Sequence, residues 1–151
     1  MGIAASRTID ADVDAVFALI TDPQRLSTWN RILRRTIDAP AEMVPGAQWV
    51  VEFGAMGQTW QSRSTAIAID RAARRFSYRS ATDDGNPSYA EWTWTVTPAR
   101  SGCVVEVAAD LHPATFWRRV LLSKIRARQL RRELPDSLDQ LARAVVTSAA
   151  R

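Results

Sequence analysis

The sequence predicts an α+β domain in which an antiparallel β-meander follows one strand and two short helices and leads into a long C-terminal helix. Three observations carry this. Apolar residues recur at helical spacing over residues 13–20, at a period of two through much of 48–110, and at helical spacing again beyond Pro113. Only short turn-forming stretches separate the period-two runs, and such connections join antiparallel neighbours. A chain of 151 residues, 46% hydrophobic and 24% charged, suits one domain, 1–151, with its own core and excludes a disordered or collagen-like chain.

Ile3 to Ile9 alternates weakly and reads as the first strand. Asp10 offers an N-cap, with Asp12 and Asp14 in the first turn, where the helix dipole favours negative charge. Val13, Val16, Phe17 and Ile20 then make one apolar stripe. Asp22-Pro23 closes that helix and starts a shorter one, about Pro23 to Trp29, because proline loses nothing at a first helical position.

After the loop residues Pro40, Pro45 and Gly46, Trp49, Val51 and Phe53 alternate with polar positions in a strand ending at Gly54–Gly57. Residues 58–69 form a long extended run, and Asp70 to Arg74 turns the chain. Phe76 and Tyr78 mark the next strand, which Asp83 to Pro87 ends. Trp92, Trp94 and Val96 give a clean period of two, and Pro98 to Gly102 leads into a last strand, Cys103 to Asp110. Beyond Pro113, Phe116, Val120, Leu121 and Ile125 begin a helical stripe that Leu134, Leu138, Leu141 and Val145 continue. Pro135 removes a backbone donor within it, so a kink or a break into two helices is expected there.

This order, with several local words, resembles the START-like, Bet v 1-like (SRPBCC) superfamily, and within it the bacterial polyketide cyclase/dehydrase and lipid-transport group. The words are Ile9-Asp10-Ala11-Asp12 through Val16-Phe17, Thr21-Asp22-Pro23 with Arg25-Leu26 and Trp29-Asn30, and Pro45-Gly46-Ala47-Gln48-Trp49. Ala72-Ala73-Arg74-Arg75-Phe76 and Trp94-Thr95-Val96-Thr97-Pro98 with Gly102 complete the set. The resemblance implies a helix-grip fold, with a curved antiparallel sheet wrapped around the long C-terminal helix and a cavity between them. It also implies a second strand over residues 31–37. No activity is implied, because the superfamily holds enzymes, carriers and receptors.

The net charge of +4 invites a nucleic-acid reading, but acids and arginines are near balance over residues 1–110. The surplus sits in the last helix, where a solvated face accounts for it. Nucleic acid is therefore not expected as a partner. At most, Arg126, Arg128, Arg131 and Arg132 offer a weak contact to an anionic surface. No apolar run reaches the roughly 18 residues of a membrane span. The N-terminus has no basic leader with an apolar core, and Cys103 is the one cysteine, so a cytoplasmic protein is expected, monomeric or homodimeric.

His112 and Cys103 alone cannot form a zinc or copper site, and no phosphate-binding loop or nucleophile elbow is present, so neither metal nor cofactor is expected. Cys103 reads as a small buried filler and His112 as a rim residue at a strand–helix junction. The aromatic residues are the informative ones. Trp49 with Phe53, Phe76 with Tyr78, and Trp92 with Trp94 each share a strand face. Facing the helix across a cavity, they form with Trp60, Val107 and Leu121 a candidate binding site for an apolar or aromatic ligand. Trp60 and Ile67 have opposite parity, which predicts a bulge in strand 58–69. Its position decides whether Gln61 and Arg63 enter the cavity.

Two functions follow. A carrier of a small lipid-, polyketide- or isoprenoid-like ligand needs only the cavity. A cyclase, aromatase or dehydrase needs polar groups within it, for which Arg63, Tyr78 and His112 are the candidates. Whether the protein is an enzyme stays open at this point.

Overall fold

The computed structural model describes residues 2–30, 32–55, 57–82, 88–113 and 123–149, side chains at 123, 124, 126 and 146–149 apart. The chain runs β1 (Gly2–Ile9), α1 (Val13–Ile20), a 3-10 helix (Pro23–Thr28), β2 (Leu33–Asp38), β3 (Gln48–Ala55), β4 (Gln58–Asp70), β5 (Arg75–Thr82), β6 (Tyr89–Pro98), β7 (Cys103–His112) and α2 (Ser123–Ala149). All seven strands form one antiparallel sheet in the order β1-β7-β6-β5-β4-β3-β2. The meander β2 to β7 is thus consecutive, and β1 closes onto β7 from the far side. This is the curved sheet and long terminal helix of a helix grip.

Local chemistry explains the element boundaries. The N-cap of α1 is Asp12, not Asp10: its carboxylate accepts from the backbone N–H of Asp14 and Ala15, both at 3.1 Å. Asp10 instead accepts from the Ser101 hydroxyl in the neighbouring turn. Asp22 caps the 3-10 helix through the Gln24 N–H, with Pro23 in its first turn and Trp29 as its C-cap. In the β6–β7 turn, Gly102 adopts φ +79°, and a Cβ there would lie 2.1 Å from the Ile9 carbonyl oxygen.

The helix α2 passes through Pro135 without dividing. Pro135 is exposed, so the carbonyl that loses its helical partner is on a face that water reaches. The stripe Leu130, Leu134, Leu138, Leu141 and Val145 is buried against α1 and the sheet, together with Val16, Leu19, Val105 and Val107. Among the sheet strands, α2 packs chiefly on β1 and to a lesser extent on β7. Arg7 of β1 and Asp139 of α2 are joined by an ion pair. Arg128, Arg131 and Arg132 are exposed, as a solvated face requires. The expected contributions of Phe116, Val120, Leu121, the Arg126 side chain and the turn Asp83 to Pro87 lie outside the described residues. Among the described residues no helix is long and apolar enough to cross a membrane.

Candidate functional site

Because α2 rests on the β1–β7 end of the sheet and α1 packs on part of β6, the inner faces of β3 to β5 are left without a helix directly upon them. Large side chains from these strands and β6 fill part of that space and surround the rest, a cavity of about 660 Å³. Trp49, Val51 and Phe53 of β3 line it, with Trp60, Ser62 and Ser64 of β4, Tyr78 and Ser80 of β5, and Trp92 and Trp94 of β6. Leu26 and Trp29 close it from the 3-10 helix, and Ile125, Gln129, Leu130, Glu133, Leu134 and Ser137 from α2. Five of the six tryptophans are on this wall.

The rings pack edge to face and in offset stacks. Trp29 meets Trp94 edge-on at 5.4 Å between centroids, Trp49 meets Tyr78 at 5.1 Å, and Tyr78 stacks near Trp92 at 6.2 Å. Phe53 and Trp60, opposed in register across β3 and β4, lie 5.8 Å apart. Each such pair contributes about 0.5–1.5 kcal/mol beyond its buried area, so the wall is a fixed surface.

Two of the expected ligand contacts are elsewhere. Phe76 and Val107 are 1% exposed and belong to the solid core. They flank Trp94 in register, on β5 and β7, and α1 packs on the β6 strand between them. Leu121 lies outside the described residues. Arg63 also stays out of the cavity. The bulge in β4 falls between Ala66 and Ala68, so Trp60, Ser62, Ser64 and Ala66 share the inner face and Arg63 points outward. There its guanidinium donates to the Gln48 side chain at 3.3 Å.

His112 ends β7 and reaches the cavity rim. Its ring stacks on Tyr89 at 4.6 Å, and the Arg79 guanidinium covers the other partner of that stack, 4.1 Å from the Tyr89 ring centre. His112 Nε2 lies 3.1 Å from the Asp110 carboxylate, close enough for an ion pair but not aligned as a hydrogen bond. Tyr78 and His112 thus share one cavity while Arg63 does not.

Burial sets the protonation of two further groups, Tyr78 and Cys103. The Tyr78 phenol is pushed up to about 12 by desolvation, against a smaller opposing effect of the Trp94 hydrogen bond. It is a neutral hydroxyl throughout the physiological range. Burial also raises the Cys103 thiol, with the Asp12 charge adding to it, so the sulfur is a protonated core filler. Among the described residues no group of three His, Cys, Asp or Glu could hold a metal ion.

The polar groups of the wall were not legible as a site. Ser62 and Ser64 are buried, at 7% and 4% exposure, on an otherwise apolar face. The signal for them is the alternation Trp60-x-Ser62-x-Ser64-x-Ala66, readable only once the bulge is placed after Ala66. Ser80 accepts from Trp92 Nε1 at 2.9 Å, and the Tyr78 hydroxyl accepts from Trp94 Nε1 at 3.5 Å. Trp29 Nε1 is buried with no acceptor among the described residues, which costs about 1–3 kcal/mol. The wall thus combines aromatic ring faces with a few hydrogen-bonding groups.

Residues 2–146 match the model of the family described as polyketide cyclase/dehydrase and lipid transport. No curated protein sequence matches the chain. Solved structures match in fold. Protein TTHA0849 of Thermus thermophilus is similar at 19% identity, over 98% of this chain and 99% of its own, with a TM-score of 0.77. The di-domain aromatase/cyclase StfQ of the steffimycin pathway is similar at 12% identity over 99% of this chain, with a TM-score of 0.78; this chain spans 52% of it. Norcoclaurine synthase of Thalictrum flavum, solved with dopamine and hydroxybenzaldehyde, is similar at 13% identity over 97% of this chain and 87% of its own, with a TM-score of 0.69.

Proposed function

The chain belongs to the polyketide cyclase/dehydrase and lipid transport family, and from that premise we propose that it binds a small apolar or aromatic ligand in the cavity between β3–β6 and α2. The observation that carries this reading is the gathering of five tryptophans around one space of about 660 Å³, large enough for a molecule of several rings. A core built only for stability packs to near-crystalline density and does not keep such a space. The ligand contacts are Trp49, Phe53, Trp60, Tyr78, Trp92 and Trp94.

The alternative, catalysis of a cyclisation, aromatisation or dehydration, draws on one observation: neutral hydroxyls of Tyr78 and Ser80 stand among the stacking rings. The same cavity serves both readings, and His112 at the rim is its one imidazole.

Native mass spectrometry of freshly purified protein tests the binding reading through a retained small molecule. Trp92→Ala removes a half-buried ring and is expected to weaken uptake of an apolar fluorescent probe by roughly tenfold while the protein stays folded. Unchanged uptake by this variant would count against the cavity as the binding site. Turnover of a poly-carbonyl substrate, lost in Tyr78→Phe with binding retained, would establish the enzymatic alternative.

A further inference from the structure

We propose that the N-terminal part of α2 is a docking face for an anionic phospholipid bilayer, with Arg128, Arg131 and Arg132 on the headgroups and Ile125 at the acyl boundary. The face stands apart from the cavity and does not depend on what the cavity holds. From Lys124 to Arg132 the sequence has five basic residues and no acidic one. Arg128, Arg131 and Arg132 are exposed, and Ile125, at 54%, is the most exposed large apolar residue among those described. At 3.6 residues per turn, Ile125, Arg128 and Arg132 stand on one side of the helix, with Arg131 at its flank. The buried Ala127, Leu130 and Leu134 occupy the opposite side.

Elsewhere on the surface, arginines are matched. Arg7 pairs with Asp139, Arg35 with Glu52, Arg74 with Asp14 and Arg79 with Glu91. Arg128, Arg131 and Arg132 have no ionic or hydrogen-bonding partner among the described residues. Three and four positions apart, Arg128 repels both Arg131 and Arg132 along the helix surface, which weakens the helix. Ile125 beside them leaves apolar area in water with nothing packed on it. An anionic bilayer relieves both features at once. Guanidinium groups donate in a fixed fork to phosphate oxygens and are weakly hydrated to begin with. An apolar side chain among them enters the boundary between headgroups and acyl chains.

The same features weigh against nucleic acid. None of the described aromatic side chains is exposed, so the face offers no platform for stacking a base. The basic run is also short. Glu133, Asp136 and Asp139 follow it on α2, so acidic residues succeed it after about two turns, too soon for the helix to track a phosphate backbone. A compact cationic patch with one apolar residue fits a lipid surface.

Sedimentation with vesicles tests the face. The chain is mixed with phosphatidylcholine vesicles, either pure or with about one-third phosphatidylglycerol, and titrated in parallel with a DNA duplex. It is expected to partition onto the anionic vesicles at least about tenfold more strongly than onto the neutral ones, and to be released as salt rises. Arg128→Glu, Arg131→Glu and Arg132→Glu together should abolish that preference, with thermal unfolding showing that the variant is folded. If the reversal unfolds the chain, the same three residues changed to Gln give the same reading. Ile125→Ser should weaken binding to the anionic vesicles severalfold with every charge in place. Equal partition onto the two vesicles, binding to neither, or undiminished binding by the folded triple variant would overturn the inference. Tighter binding to the duplex than to the anionic vesicles would overturn it in favour of nucleic acid. Unchanged binding by Ile125→Ser would overturn the place given to Ile125.

Discussion

Single residues of this protein divide by whether their chemistry is local or inherited from the wall around them. Gly102 is local: at φ +79°, a Cβ would stand 2.1 Å from the Ile9 carbonyl oxygen, which leaves no room for a side chain. Gly102→Ala is expected to lower stability by about 1–3 kcal/mol, measured by urea denaturation. Tyr78 is inherited. Its acidity is lowered by burial, with a folded value of about 12 against 10.0 for a free phenol. Below pH 10 both folded and unfolded chains keep the proton, so the full stability is present. Between about 10 and 12 the unfolded chain releases it first, and stability is lost as the pH rises through that window. A Tyr89→Phe variant leaves Tyr78 as the one phenol, and its tyrosinate absorbance should titrate near 12. A midpoint near 10 would mean that the phenol is open to water.

At the scale of elements, the helix caps and the bulge decide what faces where. Asp12 holds two backbone donors of α1, and Asp12→Ala should cost about 0.5–2 kcal/mol by denaturant titration. The sequence reading places the cap at Asp10, two residues early, because Asp10 and Asp12 are both good capping residues and only the backbone course selects Asp12. Pro135 stands exposed inside α2 and withholds a helical hydrogen bond. Pro135→Ala should therefore stabilise the protein, by about 1–3 kcal/mol on helix propensity; a loss instead would show that the fold uses the proline's bend. In β4 the expected bulge exists, between Ala66 and Ala68, but not for the reason the parity of Trp60 and Ile67 suggested: Ile67 is exposed, and it is Ile69 that packs against the core beyond the shift. That position turned Arg63 outward and Ser62 and Ser64 inward. A one-residue difference reverses every side chain beyond it, which is why this strand was ambiguous.

For the whole molecule, the consequential fact is where α2 lies. It seals the β1–β7 end of the sheet and stands off from β3 to β6, so the core is solid at one end and open at the other. Leu138, 1% exposed among α1, α2 and sheet residues, is at the solid end, and Leu138→Ala should cost about 2–5 kcal/mol without changing probe affinity once folded. The charge is arranged separately from the cavity. Exposed Arg128, Arg131 and Arg132 sit on α2, while the described cavity wall contains no cation. Uptake of an uncharged probe is therefore expected to be insensitive to salt between about 0.05 and 0.5 M, where exposed charges are progressively screened. Marked weakening by salt would place binding on the arginine face.

The sequence by itself determined the order of elements, the antiparallel meander, the aromatic character of the inner face and the family to which the chain belongs. Each rests on short-range periodicity or on words of a few residues, which the local backbone reads directly. The tertiary structure alone decided that Trp29 joins the wall, that Phe76 and Val107 are core, that Arg63 is outside, and that serines face the rings. Those outcomes depend on strand register and on the placement of α2, both set by packing between residues far apart in the chain.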